Sequence, residues 1–410
     1  MPIALVTNYL PPYRLPLYRL LHERYGVEVH CFGGEAHYVP ESLKDLDRQI
    51  EAAPFPAYRL ARQRDAGALA EHHDAVISVV AGRVALPAAY RGARRAKTPF
   101  LLWASLWRHP LTLAHTFSLG LMRRIYRRAD AILTYGPHVS RYVARYRKGT
   151  EGVFVAPQAV EPWVFAREVA DAEQADWRAE IHRSSGLPHD APIVLYVGRL
   201  VRDKGVDVLL RAWRHLGRDD AVLCFVGDGP LAGRVGDGGT GVVLAGRMER
   251  ERLPVAYNAA RTVVVPSLAT RRFLEPWGLV CNEAMHQGTP VIASSAVGAV
   301  PGALVTHGGS GLVVRPGDPR ELAAAIAQVV DDEALHARLS RIAHGADGLV
   351  VRQGDDRELA GAIAHMLDDQ PLRDRLARVA RTAVQPYTYE AAADAFGEGL
   401  TAAAVPLRRA

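Results

Sequence analysis

Two glutamates, Glu275 and Glu283, stand with seven residues between them in "RFLEPWGLVCNEAMHQGTPVIAS", residues 272 to 294. Gly278 between them permits close backbone approach. A helix starting there aims free N–H groups outward, and that end carries partial positive charge suited to phosphate. Glu283 lies one to two turns along the helix. A carboxylate there is badly placed for phosphate and well placed for hydroxyls, such as those of a ribose. Glu275 precedes the helix, so its carboxylate sits at the helix mouth, near whatever the phosphate carries. Upstream, "YVGRLVRDKGVDVLLRAW" ends an apolar run at Gly198 and follows it with Arg199 and Lys204. Two cations at the carboxyl end of a strand can hold a diphosphate. Each pair alone is what an ordinary solvated surface also offers; the four together are far more specific.

These side chains need a scaffold that brings loop ends together. "IALVTN", "VEVHCF", "DAVISVV", "PFLLWASLW", "ADAILTYG" and "GVFVAPQAV" read as buried strands, with helical spacing between several of them, as in "LPLYRLLHERY". After a polar stretch the alternation restarts with "IVLYVGRL", "AVLCFVGDG", "GVVLAGRM", "TVVVPS", "TPVIAS" and "GLVV". Alternating strands and helices indicate parallel α/β architecture, with ligands at the carboxyl ends of strands. The expected division is a first domain over 1–170, a linker over 171–190, a second domain over 191–385 and a closing segment over 386–410. A duplication lies inside the second domain. Residues 311–343 and 348–380 match at 21 of 33 positions, which reads as a repeated βα unit rather than a solenoid.

Composition sets the outer limits. The 410 residues suit two domains, and 49% apolar with 23% charged is ordinary for a globular chain. Residues 1–185 hold 25 Lys+Arg against 18 Asp+Glu, so the whole net charge of +6 comes from the first part. That balance suits phosphate, nucleic acid or an anionic membrane surface. Cys31, Cys224 and Cys281 are too dispersed for a disulfide framework or a metal signature. "MPIALVTNYLPPYR" lacks the features of a signal peptide, and no apolar run reaches membrane-spanning length. The expected compartment is the reducing cytoplasm.

Residues 192 to 320 closely resemble the retaining glycosyltransferases of family 4, which have the two-domain GT-B fold. The matching pieces are "VGRLVRDKG", "FVGDGPL", "LAGRM", "LPVAYNAARTVVVPS", "EPWGLVCNEAMHQGTPVIAS" and "GSGLVVRPGD". The likeness is thinner outside them, where "PPYRLPLYRLL" and "YRRADAILTYGPHVSRYV" look like some acceptor domains. "YTYEAAADAFGEGL" looks like the closing helix that crosses back onto the first domain. The resemblance implies two Rossmann-like parallel-sheet domains facing a cleft. It implies that Arg199 and Lys204 bind the donor diphosphate and stabilise it on leaving. Glu283 would bind the ribose, and Glu275 the hydroxyls of the donor sugar. Backbone amides near Trp277, Gly278 and Leu279 would contact sugar and phosphates. Gly198, Gly227, Gly229, Arg247 and Met248 would border the diphosphate and base.

The chain also departs from that pattern. Many family members carry a Gly-Gly pair in the first strand-to-helix loop, where this chain has "NYLPPYR". Tyr13 and Arg14 are the candidates there for phosphate or acceptor contact. His109 in "LWASLWRHP" is the candidate for the family's first-domain histidine, ahead of His115 and His138. No cofactor and no metal are expected, the nucleotide sugar being a substrate; the spaced pair in "DLD", 45–47, sits in a charged stretch. Arg123, Arg124, Arg127 and Arg128 lie in an amphipathic segment suited to peripheral contact with an anionic inner membrane face. The expected activity is retaining hexosyl transfer from a UDP- or GDP-sugar to a glycan, lipid-linked or small-molecule acceptor, with no nucleic-acid partner. Two alternatives share the fold. A sugar-nucleotide epimerase would need an acid/base pair facing C2, and no dedicated pair is seen. A degenerate scaffold of a glycan assembly complex would be expected to have lost part of the Arg199, Lys204, Glu275 and Glu283 set.

Overall fold

The computed structural model describes residues 1–33, 45–110, 113–308, 310–343 and 387–406. The chain divides into two compact units, Met1–Ala159 with Tyr387–Ala410, and Val160–Pro386.

The first unit is built on seven strands: β1 (Ile3–Thr7), β2 (Val27–Cys31), β3 (Ala57–Arg59), β4 (Ala75–Val79), β5 (Phe100–Ala104), β6 (Ala131–Thr134) and β7 (Val153–Val155). They lie in the order β3-β2-β1-β4-β5-β6-β7, and every pairing is parallel. Strands β1, β4, β5 and β6 are buried at every residue. This is why they read as continuous apolar runs, since helices cover both faces of a parallel sheet. The edge strand β3 has three residues and is partly exposed. The helix Tyr389–Ala402 returns to this unit from the far end of the sequence. Phe396 meets Trp103 of β5 edge to face, with ring centroids 5.0 Å apart. Thr388 caps that helix by accepting from the Ala391 amide at 3.1 Å.

The second unit carries six strands: β8 (Ile193–Val197), β9 (Val222–Val226), β10 (Val242–Gly246), β11 (Thr262–Val265), β12 (Val291–Ser294) and β13 (Gly311–Val314). Their order is β10-β9-β8-β11-β12-β13, again all parallel. Both sheets therefore reverse direction once, at β1/β4 and at β8/β11, and a ligand of an open α/β sheet binds at such a switch point. Trp213 and Phe225 share one buried core with Leu322, Ile326 and Val329 of the helix Pro319–Asp331.

Two sequence expectations change here. The crossover lies at Ala159/Val160 rather than near 170. Residues 171–190 are not a linker, because Asp171–Ser185 is a helix of the second unit. Its composition is polar, but Trp177 and Ile181, four residues apart on one face, are buried. Arg178 donates to the Ala259 carbonyl at 3.0 Å, and Gln174 to Asn258 Oδ1 at 2.8 Å. The first copy of the duplication forms the sheet edge β13 and two helices, Pro319–Asp331 and Glu333–Ala343. The second copy, 348–380, lies outside the described residues.

Candidate functional site

The switch point of the second sheet gathers the singled-out residues from the inside out. β8 ends at Val197, and Gly198 follows with φ +149°. Tyr196 fixes the next turn by donating its hydroxyl to the Arg199 carbonyl at 2.8 Å. A tight turn, Arg202–Lys204, then leads into the helix Val206–Leu216. Gly205 lets this loop lie against the end of β11. A Cβ on Gly205 would stand 2.0 Å from the Pro266 carbonyl oxygen. The loop after β9 closes on the same place. A Cβ on Gly227 would stand 1.9 Å from the Gly198 oxygen, and one on Gly229 2.7 Å from the Leu200 oxygen. The Gly227 amide also bonds the Gly246 carbonyl at 2.7 Å, so exposed Arg247 and half-buried Met248 emerge beside that loop.

Lys204 reaches across to Glu275 and forms an ion pair with Oε2. The same oxygen accepts the Ser267 hydroxyl at 3.0 Å. Glu275 is buried, and its backbone joins a short parallel bridge with Val297. Arg199 stands half-buried in the same loop. Gly278 then begins the helix Leu279–His286 with φ +96°, a conformation that favours glycine. There is no room for a side chain either, since a Cβ would stand 2.7 Å from Val297 Cγ1. Buried Trp277 is anchored by its indole N–H, which donates to Asn282 Oδ1 at 2.7 Å.

Glu283 lies on the second turn of this helix. The buried Tyr257 hydroxyl donates to its Oε2 at 2.5 Å. Burial raises the Glu283 carboxyl above the ordinary carboxylate range, against the opposing pull of the Tyr257 hydroxyl and the Arg250 charge. Arg250 is itself held by a two-pronged ion pair with buried Glu161. The Cys281 thiol is pushed up by burial first, then by Glu275 and Glu283, with Lys204 opposing.

The structure thus brings Lys204, Glu275, Glu283, Gly278 and the loops bearing Arg199, Gly227 and Gly229 to one end of the second sheet. Sequence reasoning missed Ser267, Tyr257, Arg250 and Glu161. Ser267 and Tyr257 both lie in "LPVAYNAARTVVVPS", and their signal was a polar atom closing an apolar run.

In the first unit, Arg14 is held in an aromatic box. Its guanidinium donates to the Tyr135 hydroxyl and lies 4.5 Å over the Trp103 ring. The Tyr13 carbonyl accepts the Tyr389 hydroxyl at 2.8 Å. His109 follows β5 in a half-buried loop. His138 is buried against Trp107, with ring centroids 5.4 Å apart. His115 lies in the helix Leu113–Arg128. Of the spaced aspartates, Asp45 caps the helix Leu46–Glu51 and Asp47 pairs with Arg59. Arg123, Arg124, Arg127 and Arg128 are all exposed. Among the described residues no helix is long and apolar enough to cross a membrane.

Residues 178–344 match the family model described as glycosyl transferases group 1. An uncharacterized glycosyltransferase of Methanocaldococcus jannaschii is 32% identical over 187 residues, 44% of this chain and 45% of that protein. The alpha-D-kanosaminyltransferase of Streptomyces kanamyceticus is 34% identical over 181 residues, 42% of this chain and 45% of that protein. The aligned part is a little under half the length of these curated relatives. A crystal structure of Anabaena Alr3699/HepE in complex with UDP superposes with a TM-score of 0.71 at 17% identity, covering 98% of this chain and all of that one. That likeness is one of fold. Residues 178–344 are thus similar to glycosyl transferases group 1 domains, and they lie in a chain whose two parallel sheets share the fold of that structure.

Proposed function

We propose that the chain transfers a hexosyl group from a nucleoside diphosphate donor to an acceptor hydroxyl, with retention at the anomeric carbon. The observation that carries this reading is the Lys204–Glu275 ion pair at the start of the helix Leu279–His286, which itself bears Glu283, inside the region that matches the group 1 model. Arg199 and Lys204 meet the diphosphate, and the free amides from Gly278 onward add the helix N-terminus to them. Glu283 accepts from the ribose hydroxyls, and its bond from Tyr257 holds the carboxylate in place. Glu275 accepts from hydroxyls of the sugar. Gly198, Gly227, Gly229, Arg247 and Met248 line the base and phosphates. In the free protein Lys204 is neutralised by Glu275. Donor binding exchanges that partner for phosphate and releases the Glu275 carboxylate to the sugar, so one event arms both groups.

Bond breaking places negative charge on the leaving diphosphate oxygen. Fixed cations and helix amides stabilise that charge more than the ground state. Glu275 and Glu283 are occupied in recognition, so an acid and nucleophile pair is not assigned to them. The leaving phosphate takes the acceptor proton in a front-face displacement, and no metal or cofactor is required. The first unit supplies the acceptor side, with His109, Tyr13 and Arg14 as its candidates. The basic helix Leu113–Arg128 suits an anionic membrane surface carrying a lipid-linked acceptor. Glycan, glycolipid or glycosylated-metabolite synthesis is the setting this reading supports.

Calorimetric titration with UDP, GDP and ADP tests it, repeated on Glu283→Ala and Glu275→Ala. Selective binding of one nucleotide, weakened by Glu283→Ala and mostly kept by Glu275→Ala, is expected. No nucleotide bound by the folded protein, or equal losses in both variants, overturns the assignment.

A further inference from the structure

A second cluster of chemistry-bearing side chains lies in the first unit, on β2 and the turn ahead of β4. Glu28 and His30 are two residues apart on β2 and so point to one face of the sheet. His73 comes from the turn ahead of β4, a strand separated from β2 only by β1. Donor atoms of Glu28, His30 and His73 all lie within 4.8 Å of one another. His73 Nε2 stands 3.6 Å from Glu28 Oε2. In a tetrahedral zinc site with bonds of about 2.0–2.2 Å, neighbouring donor atoms are about 3.3 Å apart. One edge of that figure is nearly formed.

The two histidines are prepared as ligands. His73 Nδ1 lies 2.8 Å from the Leu69 carbonyl oxygen. That contact requires the proton on Nδ1, which leaves the lone pair on Nε2. An imidazole pinned through its other nitrogen by a carbonyl is the usual outer support of a metal-bound histidine. Nε2 of His30 and Nε2 of His73 are both buried without a hydrogen-bond partner, in residues 7% and 8% exposed. Two orphaned ring nitrogens beside a carboxylate are costly unless something binds them. Tyr58 stacks on His30 with ring centroids 5.2 Å apart and the His73 ring meets it edge-on, fixing its plane. Glu28 keeps about a quarter of its side chain exposed, which leaves a way in.

We propose that Glu28, His30 and His73 bind one divalent transition-metal ion of the zinc class, with water completing the shell. Two imidazoles and a carboxylate suit zinc, cobalt, nickel or copper rather than calcium or magnesium. The ion clips β2 to the chain ahead of β4 and strengthens the first unit. This site is independent of sugar transfer, so its test needs no activity.

The test uses full-length protein without a histidine tag, stripped with chelator. Co²⁺ is titrated by its visible absorption, Zn²⁺ is used to displace it, and thermal midpoints are recorded with and without Zn²⁺. One Co²⁺ per chain, displaced by Zn²⁺, with a raised midpoint, is expected. Glu28→Gln keeps shape and should weaken Zn²⁺ binding at least ~10-fold. His73→Ala should abolish it, and if that variant does not fold, Glu28→Gln decides alone. No Co²⁺ bound by folded wild type overturns the proposal, and so does binding that Glu28→Gln leaves unchanged.

Discussion

Replacing Lys204 by methionine should destabilise the second unit far more than replacing its partner Glu275 by glutamine. The side chain of Glu275 is 10% exposed, that of Lys204 24%. Removing one member of a buried pair costs about 3–5 kcal/mol, because the other charge is stranded. Partial exposure of Lys204 screens the pair, so about 2–3 kcal/mol is the better figure. Within a unit spanning 160–386, each kcal/mol lowers the midpoint by about 2–4 °C, giving a fall of about 4–12 °C. Glu275→Gln leaves an ammonium that can turn to solvent and an amide that still accepts from Ser267. Its cost should be about 1 kcal/mol. The double variant strands no charge and should be about as stable as Glu275→Gln alone. Denaturant unfolding of the four proteins at one pH completes the cycle. A double variant whose loss equals the sum of the single losses would refute the coupling, and with it the exchange of partners on donor binding.

Gly278→Ala must place a Cβ 2.7 Å from Val297 Cγ1 at φ +96°. Left-handed strain of about 1–2 kcal/mol plus overpacking predicts a loss of about 2–4 kcal/mol; unchanged unfolding midpoints would count against the geometry. Glu283 titrates above its unfolded value, so the native state holds its proton more tightly. Its contribution to stability is present below the unfolded carboxylate range and is lost as pH rises through the raised native value. Nucleotide affinity should move the opposite way, rising with pH as the carboxylate forms. Glu283→Gln should flatten both slopes, and slopes identical to wild type would reject the assignment.

Much of the fold was legible because parallel strands buried on both faces leave unbroken apolar runs. β1, β4 to β6, β8, β9 and β11 to β13 each coincide with such a run. The strand β3 did not stand out, since three partly exposed residues at a sheet edge carry no period. The helix Asp171–Ser185 reads as a connection in sequence because it buries a narrow stripe, Trp177 and Ile181, within a polar segment. At the candidate site the charged residues were legible by type and spacing. Their partners were not. Nothing in one dimension says that Ser267 meets Glu275 or that Tyr257 meets Glu283, because those contacts arise from strand order. The pair Glu28 and His30 does show in the alternation of "VEVHCF", but His73 joins it only through the placement of β4 beside β1.

The return of the helix Tyr389–Ala402 to the first unit sets an order of events during synthesis. Phe396 and Leu400 are fully buried there, and Gly399 lies close over Leu101 and Leu133. The residues that cover this part of the sheet are made only after the whole 160–386 stretch. At about 5–20 residues per second that is a wait of roughly 10–45 s. Through that interval β5 and β6 present an uncovered apolar face on the ribosome, so a nascent chain stalled before residue 387 should be a chaperone client and a full-length chain should not.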